Sequence, residues 1–161
     1  MVLTPLFIIS LLIVFVLVWL FVNTIDKRKW LTLIVSLALT PLVYFYVFYP
    51  IINIFSNYHH EKYFNAEAWE EDPELRFEML HNILEDSLLI GKSKIEVKQL
   101  LGESEWYGWN DSIKANSEDQ WNYNLGFKPG AFNKDQECIE LLFTNNKVTA
   151  LRTYKLEKTF E

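Results

Sequence analysis

The sequence predicts an α+β protein, a two-helix transmembrane hairpin followed by a small α-α-β-β-β domain with an antiparallel three-stranded sheet. Three observations predict it. Residues 3–55 are nearly all apolar and are cut once, by the polar knot Asn23-Thr-Ile-Asp-Lys-Arg-Lys29. From Asp72 onward, apolar residues recur at helical spacing. From Trp121 onward, the apolar period changes to two. The reading divides the chain into a hairpin at 1–55 (helices about 3–22 and 30–49), a connector at 56–71 and a soluble domain at 72–161.

The hairpin follows from length and charge. Residues 3–22 and 30–48 contain no charged side chain, and a helix needs roughly 20 apolar residues to cross the hydrocarbon core. Lipid offers no hydrogen-bond partners, so each segment must satisfy its own backbone as a helix. Trp19, Phe21 and Trp30 flank the knot, and Tyr44, Phe45, Tyr46, Phe48 and Tyr49 crowd the far end. Aromatic rings with one wet edge favour the headgroup level. Lys27, Arg28 and Lys29 are the dominant basic cluster beside the spans, so the positive-inside rule places the short loop in the cytoplasm. The expected location is a bacterial inner (plasma) membrane with both termini extracytoplasmic. A cleaved signal peptide fits poorly, because no basic n-region, short h-region or A-x-A site is present. Pro41 implies a kink and Pro50 a helix end or bend.

The soluble part reads as two helices and three strands. Asp72-Pro73-Glu74 is a helix start, with an N-cap Asp and Pro at the first position. Met79, Leu80, Ile83, Leu84 and Leu88 form its apolar face, and Gly91 ends it. Ser93-Lys-Ile-Glu96 is a capping box opening a short helix that buries Val97, Leu100 and Leu101 and stops at Gly102. Residues 103–119 show no period and read as a loop. Trp121, Tyr123 and Leu125 then alternate with Asn122 and Asn124, and Ile139, Leu141 and Phe143 with Glu140 and Leu142. Asn145-Asn146 is a tight-turn signal before a last strand at 148–154.

Phe64, Trp69, Arg76, Met79 and Leu80, then residues 89–102 with Gly91, Ser93, Val97, Leu101 and Gly102, then Trp121-Asn-Tyr-Asn-Leu-Gly126, form a pattern that resembles the SmpA/OmlA type of domain. That family includes the small lipoprotein of the outer-membrane barrel-assembly machine, and its fold is similar to the β-lactamase inhibitor protein repeats. The resemblance implies a protein-binding module without an active site. It departs from that lipoprotein in lacking an N-terminal lipid-anchor cysteine.

Charge narrows the partners. Residues 56–161 hold 12 basic and 20 acidic side chains, a net of −8. Such a domain repels nucleic acid and anionic lipid headgroups. The single cysteine, Cys138, excludes an internal disulfide, and its acidic neighbours Asp135, Glu137 and Glu140 raise its pKa rather than activate it. His59, His60 and Glu61 lack metal-ligand spacing and read as a solvated interfacial group, His81 as a surface side chain. The acidic residues between Glu67 and Glu78 read as a solvated face. No Gly-rich phosphate loop and no G-x-S-x-G occur. The sequence therefore offers no catalytic, cofactor or metal residues and no small-molecule substrate. Trp106, Tyr107 and Trp109, aromatic residues in an aperiodic stretch, are the candidate protein-binding residues, because such residues are enriched at interface hot spots. The expected function is a membrane-anchored, non-enzymatic protein that binds another envelope protein. The alternatives are an inhibitor or immunity-like protein, or an enzyme whose site is scattered in sequence.

Overall fold

The computed structural model describes residues 1–157. The chain divides into two compact units, Met1–His60 with Pro129–Phe132, and Glu61–Lys128 with Asn133 onward.

The first unit is built on two long apolar helices. Helix α1 spans Pro5–Ile25; Thr4 caps it by accepting from the Phe7 amide, with Pro5 in the first turn. Helix α2 (Lys29–Val43), a π-helical turn (Tyr44–Phe48) and helix α3 (Tyr49–Phe55) run as one continuous helix, Lys29–Phe55. Both are long and apolar enough to cross a membrane. The helix continues through Pro41, and where the sequence implied an end or bend near Pro50 it runs on to Phe55. The π turn lies between the two prolines, and the Tyr49 amide reaches back five residues to the Tyr44 carbonyl. A proline supplies no amide and its ring crowds the preceding turn, so a locally wider turn accommodates it without breaking the helix.

The two helices meet along stripes that the sequence spells out. Phe7, Ser10, Val14, Val18 and Val22 face inward from α1; Thr32, Ser36, Thr40 and then Tyr44 face inward at four-residue spacing. Small side chains let apolar helices approach closely. Two of the hydroxyls are satisfied within their own helix or the loop: Thr40 donates to the Ser36 carbonyl at 2.7 Å, and Thr32 to the Asp26 carbonyl at 3.0 Å. The outward faces, including Leu12, Leu20, Leu33 and Leu37, stay exposed.

The second unit places helices on one face of an antiparallel sheet. Its helical part comprises α4 (Ala66–Glu71), a 3₁₀ segment (Pro73–Glu78), α5 (Leu80–Glu85) and α6 (Lys94–Leu101). The sheet has four strands among the described residues, not three: β1 (Trp106–Asn110), β2 (Ala115–Phe127), β3 (Asp135–Thr144) and β4 (Lys147–Glu157), in the order β1-β2-β3-β4. Strand β1 occupies the stretch that reads as a loop. It is an edge strand whose register against β2 shifts between Tyr107 and Gly108, so neither strand keeps a clean two-residue period there. The β3–β4 turn uses Asn145 and Asn146, both at positive φ, as their spacing predicted.

The core draws Trp69, Phe77, Met79, Ile83 and Leu89 from the helical layer, Val97 and Leu101 from α6, and Trp121, Tyr123, Leu125, Ile139, Leu141 and Phe143 from the sheet. The Ser93–Glu96 capping box forms as read. The carbonyls at the end of α6 are then satisfied from the core itself: Trp69 donates its indole N–H to Leu101 at 3.1 Å, and the Tyr123 hydroxyl donates to Gly102 at 3.1 Å. The first predicted helix is corrected in two respects. It is a 3₁₀ segment followed by a short α-helix ending at Glu85, and Asp72 occupies the cap position without a side-chain hydrogen bond. Within α5, Leu84 is 38% exposed while Leu80 and Ile83 are buried.

Candidate functional site

Helices cover one face of the sheet; the other carries the polar and aromatic residues. Strand pairing sets Trp106, Asn122, Glu140 and Arg152 side by side in one row across all four strands. Residues paired in register share a face, and Asn122 and Glu140 are the outward partners of the core residues beside them. Around this row lies a groove of about 520 Å³, also lined by Tyr107, Gly108, Trp109, Asn116, Thr153 and Tyr154.

Its floor is polar and dry. Asn122 is only 2% exposed. The Tyr154 hydroxyl donates to its Oδ1 at 2.9 Å, while its Nδ2 has no partner. A buried polar group without a partner carries a desolvation cost that a ligand can relieve. Burial, with Cys138 second, pushes Tyr154 up to about 12, and the neighbouring Trp106 indole opposes the shift. Cys138 pairs with Tyr154 across β3 and β4. Burial pushes its thiol up to about 11, with help from the Glu105 and Glu137 carboxylates. Both groups are therefore protonated at neutral pH.

Glycine at position 108 makes the floor possible. A Cβ there would lie 2.6 Å from Glu140 Oε1 and 2.7 Å from Gln120 Oε1. The missing side chain lets both oxygens rise against β1, and Gln120 Oε1 is buried without a partner. Among the described residues Glu140 meets one cation, Arg152, at 3.8 Å, and the Arg152 side chain is largely exposed. The rim is aromatic. Tyr107 is exposed, and Trp109, 60% exposed, holds only Asp111 through its indole N–H at 3.0 Å.

Of the residues singled out by sequence, Trp106, Tyr107 and Trp109 come together here, on a strand rather than a loop. Lys27 and Arg28 lie in the turn between α1 and α2, and Lys29 opens α2; Arg28 faces Asp26 at 3.8 Å. His60 departs from the solvated reading. It packs among Phe7, Tyr44, Phe45, Tyr49 and Tyr58, with its Nε2 3.1 Å from the buried Tyr44 hydroxyl. His81 lies 3.0 Å from Glu85, one turn on. Sequence reasoning missed Asn122, Glu140, Arg152 and Tyr154. The only signal for them was the polar half of the strand alternation, which marks an outward face without showing what it builds.

Against protein-family models, curated proteins and solved structures, the chain finds no match.

Proposed function

We propose that this is a membrane-anchored, non-enzymatic binding module. The hairpin lies in a bacterial inner membrane with Lys27, Arg28 and Lys29 on the cytoplasmic side. The α+β unit stands outside and docks another envelope protein through the groove on its open sheet face. The observation that carries the reading is the aromatic lining that Trp106 and Trp109 give the groove around a buried, half-satisfied Asn122, the register partner of Trp106. Interfaces favour this combination of aromatic anchors and polar groups that gain partners on binding. The protonated states of Cys138 and Tyr154 favour binding over nucleophilic chemistry. The exposed apolar flanks of α1 and α2 favour lipid over water. The SmpA/OmlA resemblance points to the same class, although its α-α-β-β-β order has one strand fewer than this sheet.

The docking test compares the full chain with a Trp106→Ala/Trp109→Ala variant, each captured with bound proteins from detergent-solubilised membranes. The variant is expected to lose its partner, since truncating a hot-spot aromatic costs on the order of 2 kcal/mol or more, with little change in melting temperature. Unchanged capture by a folded variant would place the docking surface elsewhere.

Orientation has its own test. A C-terminal alkaline phosphatase fusion should be active and a fluorescent-protein fusion dark. Changing Lys27, Arg28 and Lys29 together to Gln should mix the two orientations. The reverse reporter pattern would overturn the topology.

A further inference from the structure

We propose that the groove takes a basic, extended polypeptide segment, seating a lysine or arginine side chain between the aromatic rim and the carboxylate of Glu140. This rests on the reading of the groove as the docking surface and adds the chemistry of its occupant.

Four observations converge on a cation. The Glu140 side chain is only 17% exposed, and its sole ion pair among the described residues is the 3.8 Å approach of Arg152, whose side chain is 69% exposed. That is a weak, water-facing contact, so Glu140 is an incompletely neutralised carboxylate in a largely buried place. Second, the Glu140 carboxylate and the Gln120 side chain converge at Gly108, where an added Cβ would lie 2.6 Å from Glu140 Oε1 and 2.7 Å from Gln120 Oε1. The space that Gly108 leaves open there brings the carboxylate to the groove, and a carboxylate suits an ammonium or guanidinium, which carries several donors. Third, Trp106, Trp109 and Tyr154 line the same groove, and aromatic faces attract cations. Fourth, residues 56–161 carry 12 basic and 20 acidic side chains, so the field around the groove draws in positive charge.

The remaining unpaired group selects the carrier. With its oxygen on Tyr154, Asn122 presents Nδ2 and needs an acceptor. A free amine offers none. A peptide offers both, a backbone carbonyl for Asn122 and a side-chain cation for Glu140. The groove reaches from Trp106 on β1 to Arg152 on β4, which suits a segment lying across the strands.

The test uses the full chain labelled with 5-fluorotryptophan in zwitterionic micelles, read by fluorine NMR. The probes are acetyl-Thr-Lys-Thr-Lys-Thr-amide, the same peptide with Gln or Glu for Lys, and chitotetraose as a glycan. The lysine peptide should shift the Trp106 and Trp109 signals saturably and bind at least about tenfold tighter than the glutamine peptide. Glu140→Gln should weaken it about tenfold, and Arg152→Gln, which removes the competing guanidinium, should tighten it several-fold. Glu85→Gln, a carboxylate outside the groove, should leave affinity within about twofold. Equal binding of the glutamine peptide would overturn the cation while leaving the docking reading intact. Equal weakening by Glu85→Gln would reduce the effect to diffuse charge and overturn the site. A shift with chitotetraose alone, or with no probe, would overturn the peptide. If in addition the Trp106→Ala/Trp109→Ala variant captures its partner normally, the docking reading falls too.

Discussion

Arg76→Ala is expected to destabilise the α+β unit by about 2–4 kcal/mol. Arg76 is only 7% exposed. Its Nε donates to the Trp69 carbonyl at 2.7 Å, and its Nη1 donates to the Asn124 carbonyl at 3.2 Å and to Glu105. The guanidinium also lies over the Trp69 ring, 4.8 Å from its centroid. Glu105 completes the circuit by accepting from the Asn124 amide at 3.1 Å. One side chain thus ties the α4 segment to β2 and to the residue just before β1. Removing one partner of a buried ion pair costs about 3–5 kcal/mol because the other is stranded. The Glu105 side chain keeps 36% exposure, so water recovers part of that charge and the expected cost falls below the upper end. Urea unfolding of the full chain in micelles, followed by tryptophan fluorescence, measures it. A loss under about 1 kcal/mol would show that water replaces the guanidinium in this network. Arg76→Met, which keeps the stem but not the donors, should recover little, whereas Glu105→Gln should cost less than either.

This staple also shows where sequence reading stops. It joins residues 69, 76, 105 and 124, whose proximity depends on the assembled fold. The Ser93–Glu96 capping box was legible because both partners sit within one turn, and the buried faces of β2 and β3 were legible because a period of two survives along each strand. Strand β1 was not legible. It is short, it lies at the sheet edge, and its pairing slips at Gly108 opposite a three-residue excess in β2. The face of the first domain helix was misjudged at Leu84 because the spacing implies one long helix, whereas only Leu80–Glu85 is α-helical and its buried stripe takes Leu80 and Ile83 alone. The groove shares the limitation of the staple. Trp106, Asn122, Glu140 and Arg152 form a row only through registers fixed by irregularities after Tyr107, Asn124 and Leu142. Each of these residues alone is an unremarkable outward side chain. The hairpin was the most legible part, since uncharged length and a single polar break require no knowledge of packing.

Gly126→Ala is expected to cost about 2–5 kcal/mol, and the contrast with Gly91→Ala isolates the reason. Both glycines have positive φ, +88° and +80°, where an L side chain is strained by roughly 1–2 kcal/mol. At Gly91 nothing lies within 4 Å of an added Cβ, so that strain is the whole expected effect. At Gly126 the Cβ would run into the backbone carbonyl of Glu74. The residue sits at the β2 irregularity, where its amide N–H donates a 2.7 Å hydrogen bond to the Asn124 side-chain oxygen and the 3₁₀ segment crosses close above the strand. Forcing that backbone aside adds a further 1–3 kcal/mol or so, typical of overpacking. The same segment carries Arg76, so displacing it also disturbs the guanidinium contacts to Trp69 and Asn124. Gly126→Ala should therefore lower the urea midpoint well beyond Gly91→Ala, and combining it with Arg76→Ala should give less than the sum of the two losses, because both act on one contact. Equal costs at the two glycines would mean that the Pro73–Glu78 segment yields freely and does not pin the helical layer to the sheet.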